Sequence, residues 1–105
     1  MDTEIKNKIP EYLELLPDGN IKVKTKEGEF ILQEPNGEAF DSVERIAKGL
    51  SHITDFKKAV MLVSRSLKEP KGLNESDLLN KYKISTLKRI AEGMNLFLEE
   101  NTDFL

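Results

Sequence analysis

The sequence contains no cysteine. That excludes disulfides, thiolate metal sites and cysteine nucleophiles, and it suits a reducing cytoplasm. There is one histidine, His52, directly after Ser51 and between two helical segments. A serine–histidine pair that works as nucleophile and base needs separate elements and an orienting carboxylate, which adjacency in sequence does not supply. A loop or cap role fits His52 better. No apolar run approaches the roughly 20 residues needed to span a bilayer. The start, Met-Asp-Thr-Glu-Ile-Lys, lacks the basic end and apolar stretch of a signal peptide. The glycines are scattered and form no phosphate-binding loop. Glu99, Glu100 and Asp103 lack the oxygen-ligand pattern of a calcium loop and read as a solvated helix end. Repeats and low-complexity segments are also missing. These absences lead us to expect a cytoplasmic binding protein, not an enzyme, with no metal, cofactor or membrane partner.

What is present fits one domain spanning residues 1–105, with residues 1–9 and 100–105 expected as flexible flanks. Charged residues make up 33% of the chain, so the surface is highly charged, yet the net charge is only −3. A phosphate backbone demands a basic face, so this balance weighs against nucleic acid as the main partner, although a local basic face is compatible with it.

The fold class expected is α+β, an N-terminal β-hairpin over about 21–34 followed by three or four helices at about 38–50, 53–67, 75–82 and 86–99. Upstream of the hairpin, Pro10 suits the first position of a short helix to Leu16, and Pro17-Asp18-Gly19-Asn20 supplies a turn. Ile21 to Thr25 alternates apolar and polar residues, Glu27-Gly28 turns, and Phe30 to Gln33 returns. A two-residue turn there sets Lys26 opposite Glu29, Thr25 opposite Phe30 and Val23 opposite Leu32. Ile21, Val23, Phe30 and Leu32 then share one face. The lysines at 22, 24 and 26 read either as a nucleic-acid stripe or as the solvated side of an edge hairpin, which is their commoner use.

Pro35-Asn36-Gly37 ends the strand, with Asn36 as a helix N-cap. Phe40, Val43, Ile46, Ala47 and Leu50 form the inward stripe of the first helix, and Gly49 and Ser51 break it. In the next helix Ile53, Phe56, Val60, Val63 and Leu67 make a buried seam that Ala59, Met61 and Leu62 widen. A helix this apolar is either central to the fold or has a partner on its second face. Lys68 to Gly72 reads as a loop around Pro70. Asn74-Glu75-Ser76-Asp77 opens a short helix, and Leu87, Ile90, Ala91, Met94, Phe97 and Leu98 line one face of the last. Gly93 within it costs about 1 kcal/mol relative to alanine, which marks a close helix contact.

Residues Phe30-Ile31-Leu32-Gln33-Glu34-Pro35-Asn36-Gly37-Glu38-Ala39-Phe40-Asp41 resemble the strand, Leu-x-Glu-Pro corner and helix of the small tail assembly chaperones of long-tailed bacteriophages. Gly72 to Leu79, Ile84 to Ile90 and Asn95 to Leu98 are similar to the two-part C-terminal helical region of that family, so the resemblance runs over about 19–98. Asn36 stands where threonine is commoner in the family. The resemblance implies a protein made during phage or prophage tail assembly and absent from the mature virion. It implies binding to the tape measure protein, which is kept soluble, and recruitment of the tail tube protein. A longer form made by ribosomal frameshifting is also common in the family. The candidate partner-binding residues are Met61, Leu62, Phe97, Phe104 and Leu105, chosen for size and for excess over one core stripe. Placement of Met61, Leu62 and Phe97 in the core is the competing reading. Homo-oligomerisation stays open.

Two further functions are compatible with the sequence. Ile84 to Leu98 is similar to the closing helix of phage-repressor helix-turn-helix domains, which would make Ser76 to Tyr82 the recognition helix of a small DNA-binding regulator. That segment is short and mostly acidic or apolar. A host-directed phage inhibitor is the other alternative.

Overall fold

The alternating stretch from Ile21 to Leu32 becomes the centre of the sheet. A computed structural model describes residues 9–50 and 54–103, and the side chains only as far as residue 98. The chain runs β1 (Leu13–Leu15), β2 (Ile21–Thr25), β3 (Gly28–Leu32), α1 (Gly37–Lys48), α2 (Asp55–Ser66), β4 (Leu67–Glu69), α3 (Glu75–Lys81) and α4 (Ile84–Asp103). The four strands form one antiparallel sheet in the order β1-β2-β3-β4. The fold is α+β, with the helices gathered on one face of the sheet.

The hairpin has the expected faces but not the expected register. Thr25 pairs with Gly28, Lys24 with Glu29, Val23 with Phe30 and Ile21 with Leu32. The turn is therefore Lys26-Glu27, one position earlier than the glycine suggested. A shift of two in pairing leaves side-chain parity unchanged, so Ile21, Val23, Phe30 and Leu32 all point into the core. Gly28 has a φ of 128°, a conformation that Lys26 and Glu27 avoid. The Thr25 hydroxyl accepts from the Glu27 amide at 3.1 Å and donates to the Gly28 carbonyl at 2.8 Å, which fixes the turn.

Two outer strands replace expected helix and loop. Residues 13–15 lie extended, not helical, because pairing of Leu13 with Val23 and Leu15 with Ile21 outweighs the weak helical start at Pro10. The Pro10 carbonyl instead accepts from the Leu13 amide at 3.0 Å and closes a turn. At the other edge α2 ends at Ser66, and Leu67 and Glu69 pair with Leu32 and Ile31. Glu69 precedes Pro70, and a proline steers the residue before it into extended conformation.

The helices start where side-chain caps are available. Asn36 accepts from the Ala39 amide at 2.8 Å, and Thr54 from the Lys57 amide at 3.0 Å. Asn74 and Asp77 form a reciprocal capping box at 2.8 and 3.1 Å. α4 is capped by a different element. The Glu27 carboxylate, from the β2–β3 turn, accepts from the Lys83 amide at 2.9 Å and from the buried Thr86 hydroxyl at 2.6 Å.

α2 takes the central position. It packs against α1, α3 and α4, so Ala59, Val60, Met61, Leu62 and Val63 are all buried. α4 crosses the sheet with Leu87, Ile90, Met94 and Phe97 inward. Gly93 marks the closest approach, and the contact is with the sheet, not with another helix. A Cβ there would lie 2.9 Å from methyl groups of both Leu32 and Val23. Phe30 closes the core against Tyr82, ring edge to face, with centroids 5.1 Å apart.

Candidate interaction surface

The inward stripe expected on α1 is only partly covered. Val43 and Ala47 are buried, but Phe40 is 44% exposed, Ile46 39% and Leu50 52%. The reason is geometric. α1 has α2 as its chief neighbour, and one helix cannot cover a stripe as wide as the one Phe40 to Leu50 spells. The expectation that all five face the core is corrected for these three.

Beside the open part of α1 lies a groove of about 330 Å³. Its walls are Phe40 and Val43 of α1, Ala59 and Leu62 of α2, and Asn95 and Leu98 of α4. Glu44, Asp55 and Lys58 form the charged rim, with Lys58 Nζ 3.8 Å from Glu44 Oε2. An Asp41–Arg45 pair at 3.1 Å continues the polar border along α1. The rim ions are solvent-exposed, so they orient a partner more than they hold it. The floor is apolar and suits aliphatic or aromatic side chains.

The side chains singled out from sequence are placed differently. Met61 and Leu62 are each 3% exposed and Phe97 is 4% exposed, so none of the three stands on an open face. Three helices surround α2 and α4 lies on the sheet, which uses the apolar surplus internally. Leu62 reaches the groove only as part of its floor. Phe104 and Leu105 lie outside the described residues, as do Ser51, His52 and Ile53. Phe40 and Leu98 were missed because they sit in good helical stripes, and a stripe does not reveal how much of it the neighbouring elements cover.

The opposite end of α4 has another character. Lys24, Lys26, Lys81, Lys83 and Lys88 are exposed, and the Arg89 guanidinium lies 4.3 Å over the Tyr12 ring while Nη1 donates to the Lys24 carbonyl at 3.1 Å. The hydrogen bonds from Thr86 and Lys83 hold the Glu27 carboxyl below the usual glutamate range. Tyr12 donates to Glu92 at 2.6 Å, and this bond, aided by burial, pushes the phenol above its usual range.

The helix-turn-helix comparison meets a definite geometry. α3 carries Glu75 and Asp77 in its first turn, and α4 commits Leu87, Ile90 and Met94 to the core beneath it. Among the described residues no group of three or more histidine or carboxylate side chains could hold a metal ion, and no helix is long and apolar enough to cross a membrane. No family model, no curated protein and no solved structure matches this chain, so the groove and the basic end of α4 must be interpreted from their own chemistry.

Proposed function

We propose that this chain is a protein-binding module, not an enzyme, and that it serves as a tail assembly chaperone of a long-tailed phage or prophage. In this reading it binds the tape measure protein in the host cytoplasm, keeps it soluble, helps to recruit tail tube protein and is absent from the mature virion. The observation that carries the binding reading is the open groove bounded by Phe40, Leu62 and Leu98. An amphipathic client helix lays its apolar face into such a groove through residues three and four apart. A long helical client offers many such faces, so many copies engage it together and modest single affinities add up by avidity. The tail assembly part rests on the similarity of residues 30–41 and of the C-terminal helical segments to that family.

The test is co-expression with a tape measure protein from the genome that encodes this chain, scoring client solubility and co-elution. The chaperone reading expects a soluble client that travels with the chain, and loss of both on Phe40→Asp. Phe40 is the informative position because it is exposed, whereas Phe97→Asp would place a carboxylate in the core and unfold the protein. A client that stays insoluble with the wild-type chain overturns the proposal. Full client solubility with Phe40→Asp removes the groove from it.

A further inference from the structure

The net charge of −3 hides a strongly polarised molecule. From Lys81 to Ala91 there are four cationic side chains and no carboxylate, and Lys24 lies near the end of β2 with Lys26 on the turn that follows. Two contacts between distant parts of the chain bring these stretches together. Glu27 holds the Lys83 amide, and Arg89 reaches the Lys24 carbonyl. Among the described residues, no carboxylate lies within salt-bridge distance of Lys26, Lys83 or Lys88, although Lys83 lies near enough to Glu27 to favour its ionised form, whereas Lys22, Lys57 and Lys58 are in direct ion pairs.

Ile84 stands among these cations and is 57% exposed. On α4 it is four residues before Lys88, hence on the same face, and it directly follows Lys83. An exposed apolar side chain flanked by Lys83 and Lys88 suits a ligand that offers both carboxylates and an apolar side chain. It suits a phosphate backbone less well. The Lys83 amide at the head of α4, a donor that a phosphate would use, is already taken by Glu27. Among the described residues the aromatic rings nearby, Tyr12 and Tyr82, are engaged by Arg89 and Phe30 and do not offer themselves to bases.

We propose that the amino-terminal end of α4 and the β2–β3 turn form a docking surface for a short acidic segment of another protein. That segment sets an apolar side chain on Ile84 and carboxylates among Lys26, Lys83 and Lys88. The surface is separate from the groove, since Ile84 and Leu98 are about 21 Å apart along the helix.

The probe is a fluorescein-labelled synthetic peptide of repeated Glu-Glu-Leu, titrated with the full chain by anisotropy at low and at physiological salt. Binding is expected at low salt and should weaken as salt is added. The triple variant Lys26→Gln, Lys83→Gln, Lys88→Gln should bind about tenfold more weakly, and Ile84→Ser about threefold more weakly. Phe40→Asp should leave peptide affinity unchanged, so a failure here is distinguishable from a failure of the groove. No binding at low salt, or equal binding by the triple variant, overturns the proposal. Unaltered affinity with Ile84→Ser overturns the apolar anchor. Displacement of the peptide by a short DNA duplex bound more tightly would make the surface a nucleic-acid interface and also overturn it.

Discussion

Gly93→Ala pits helix propensity against packing at one atom. On an isolated helix the change is stabilising by about 1 kcal/mol, because alanine loses less backbone entropy than glycine on folding. In this fold the added methyl meets Leu32 Cδ1 and Val23 Cγ2, each at 2.9 Å. Real Cβ contacts are essentially never this short, so one neighbour must move. Leu32 and Val23 are both 0% exposed, and the β-branched valine is stiff about its first torsion. Forcing an extra methyl into a filled core costs about 1–3 kcal/mol. Taking about 2 kcal/mol for two tight contacts and subtracting about 1 for propensity leaves a net loss of about 1 kcal/mol. For a chain of this size that lowers Tm by about 4–8 °C.

Urea and thermal unfolding followed by far-UV circular dichroism measure this directly. The same substitution in a Val23→Ala background isolates the contact. Val23→Ala alone should cost about 2 kcal/mol as a core cavity. With the valine methyls gone, Gly93→Ala should become neutral or stabilising, giving a coupling of about 1–2 kcal/mol. A Gly93→Ala protein that is more stable than wild type would refute the close seating of α4 on the sheet. An identical effect in both backgrounds would refute Val23 as the obstacle.

Protonating Glu27 removes the acceptor that caps α4. Its folded pKa is depressed, so its contribution is complete above the ordinary glutamate range and is lost as pH falls through the lowered value. Glu27→Gln should therefore lower Tm at neutral pH and flatten the decline below about pH 4.5; a decline as steep as that of wild type would contradict the cap. The folded pKa of Tyr12 is raised, so its contribution is complete below about pH 10 and is lost as pH climbs through the raised value. Absorbance titration near 295 nm should show a late-ionising phenol that Tyr12→Phe abolishes and Glu92→Gln shifts downward.

Local signals made much of this fold legible. The caps at Asn36 and Asn74 were readable because a short polar side chain before an apolar stripe has few other uses. The faces of the hairpin were readable because strand parity survives a register error of two. The register itself was not, since Glu27-Gly28 looks like a turn locally while Glu27 is held by Thr86, fifty-nine residues away. β1 and β4 were illegible for the same reason. Three residues carry too little pattern to specify a strand, and both exist because the central hairpin offered an edge on each side, β2 to β1 and β3 to β4. The interaction surface was the least legible part. Periodicity identifies the apolar side of α1 but not the number of helices available to cover it, so Phe40 looked like core and Phe97 looked like a binding residue.

α4 connects the two candidate surfaces and also explains why they can be tested apart. Its first turn is anchored by Glu27, its middle is seated on the sheet at Gly93, and Asn95 and Leu98 line the groove. Anything that lifts Gly93 displaces both ends, so backbone disturbance acts on the two surfaces together. Charge does not. Even Lys88 and Asn95, the nearest members of the two surfaces on α4, are about 10 Å apart along the helix, beyond the Debye length of about 8 Å at physiological ionic strength. Neutralising Lys83 and Lys88 therefore changes the field at the groove little. An apolar client bound at the groove and an acidic segment bound at the other end are thus energetically independent unless one molecule reaches both. A helical segment would need about 14 residues to do so. Independent losses from Phe40→Asp and from the lysine substitutions would then mean two ligands, and coupled losses would mean one that spans the helix.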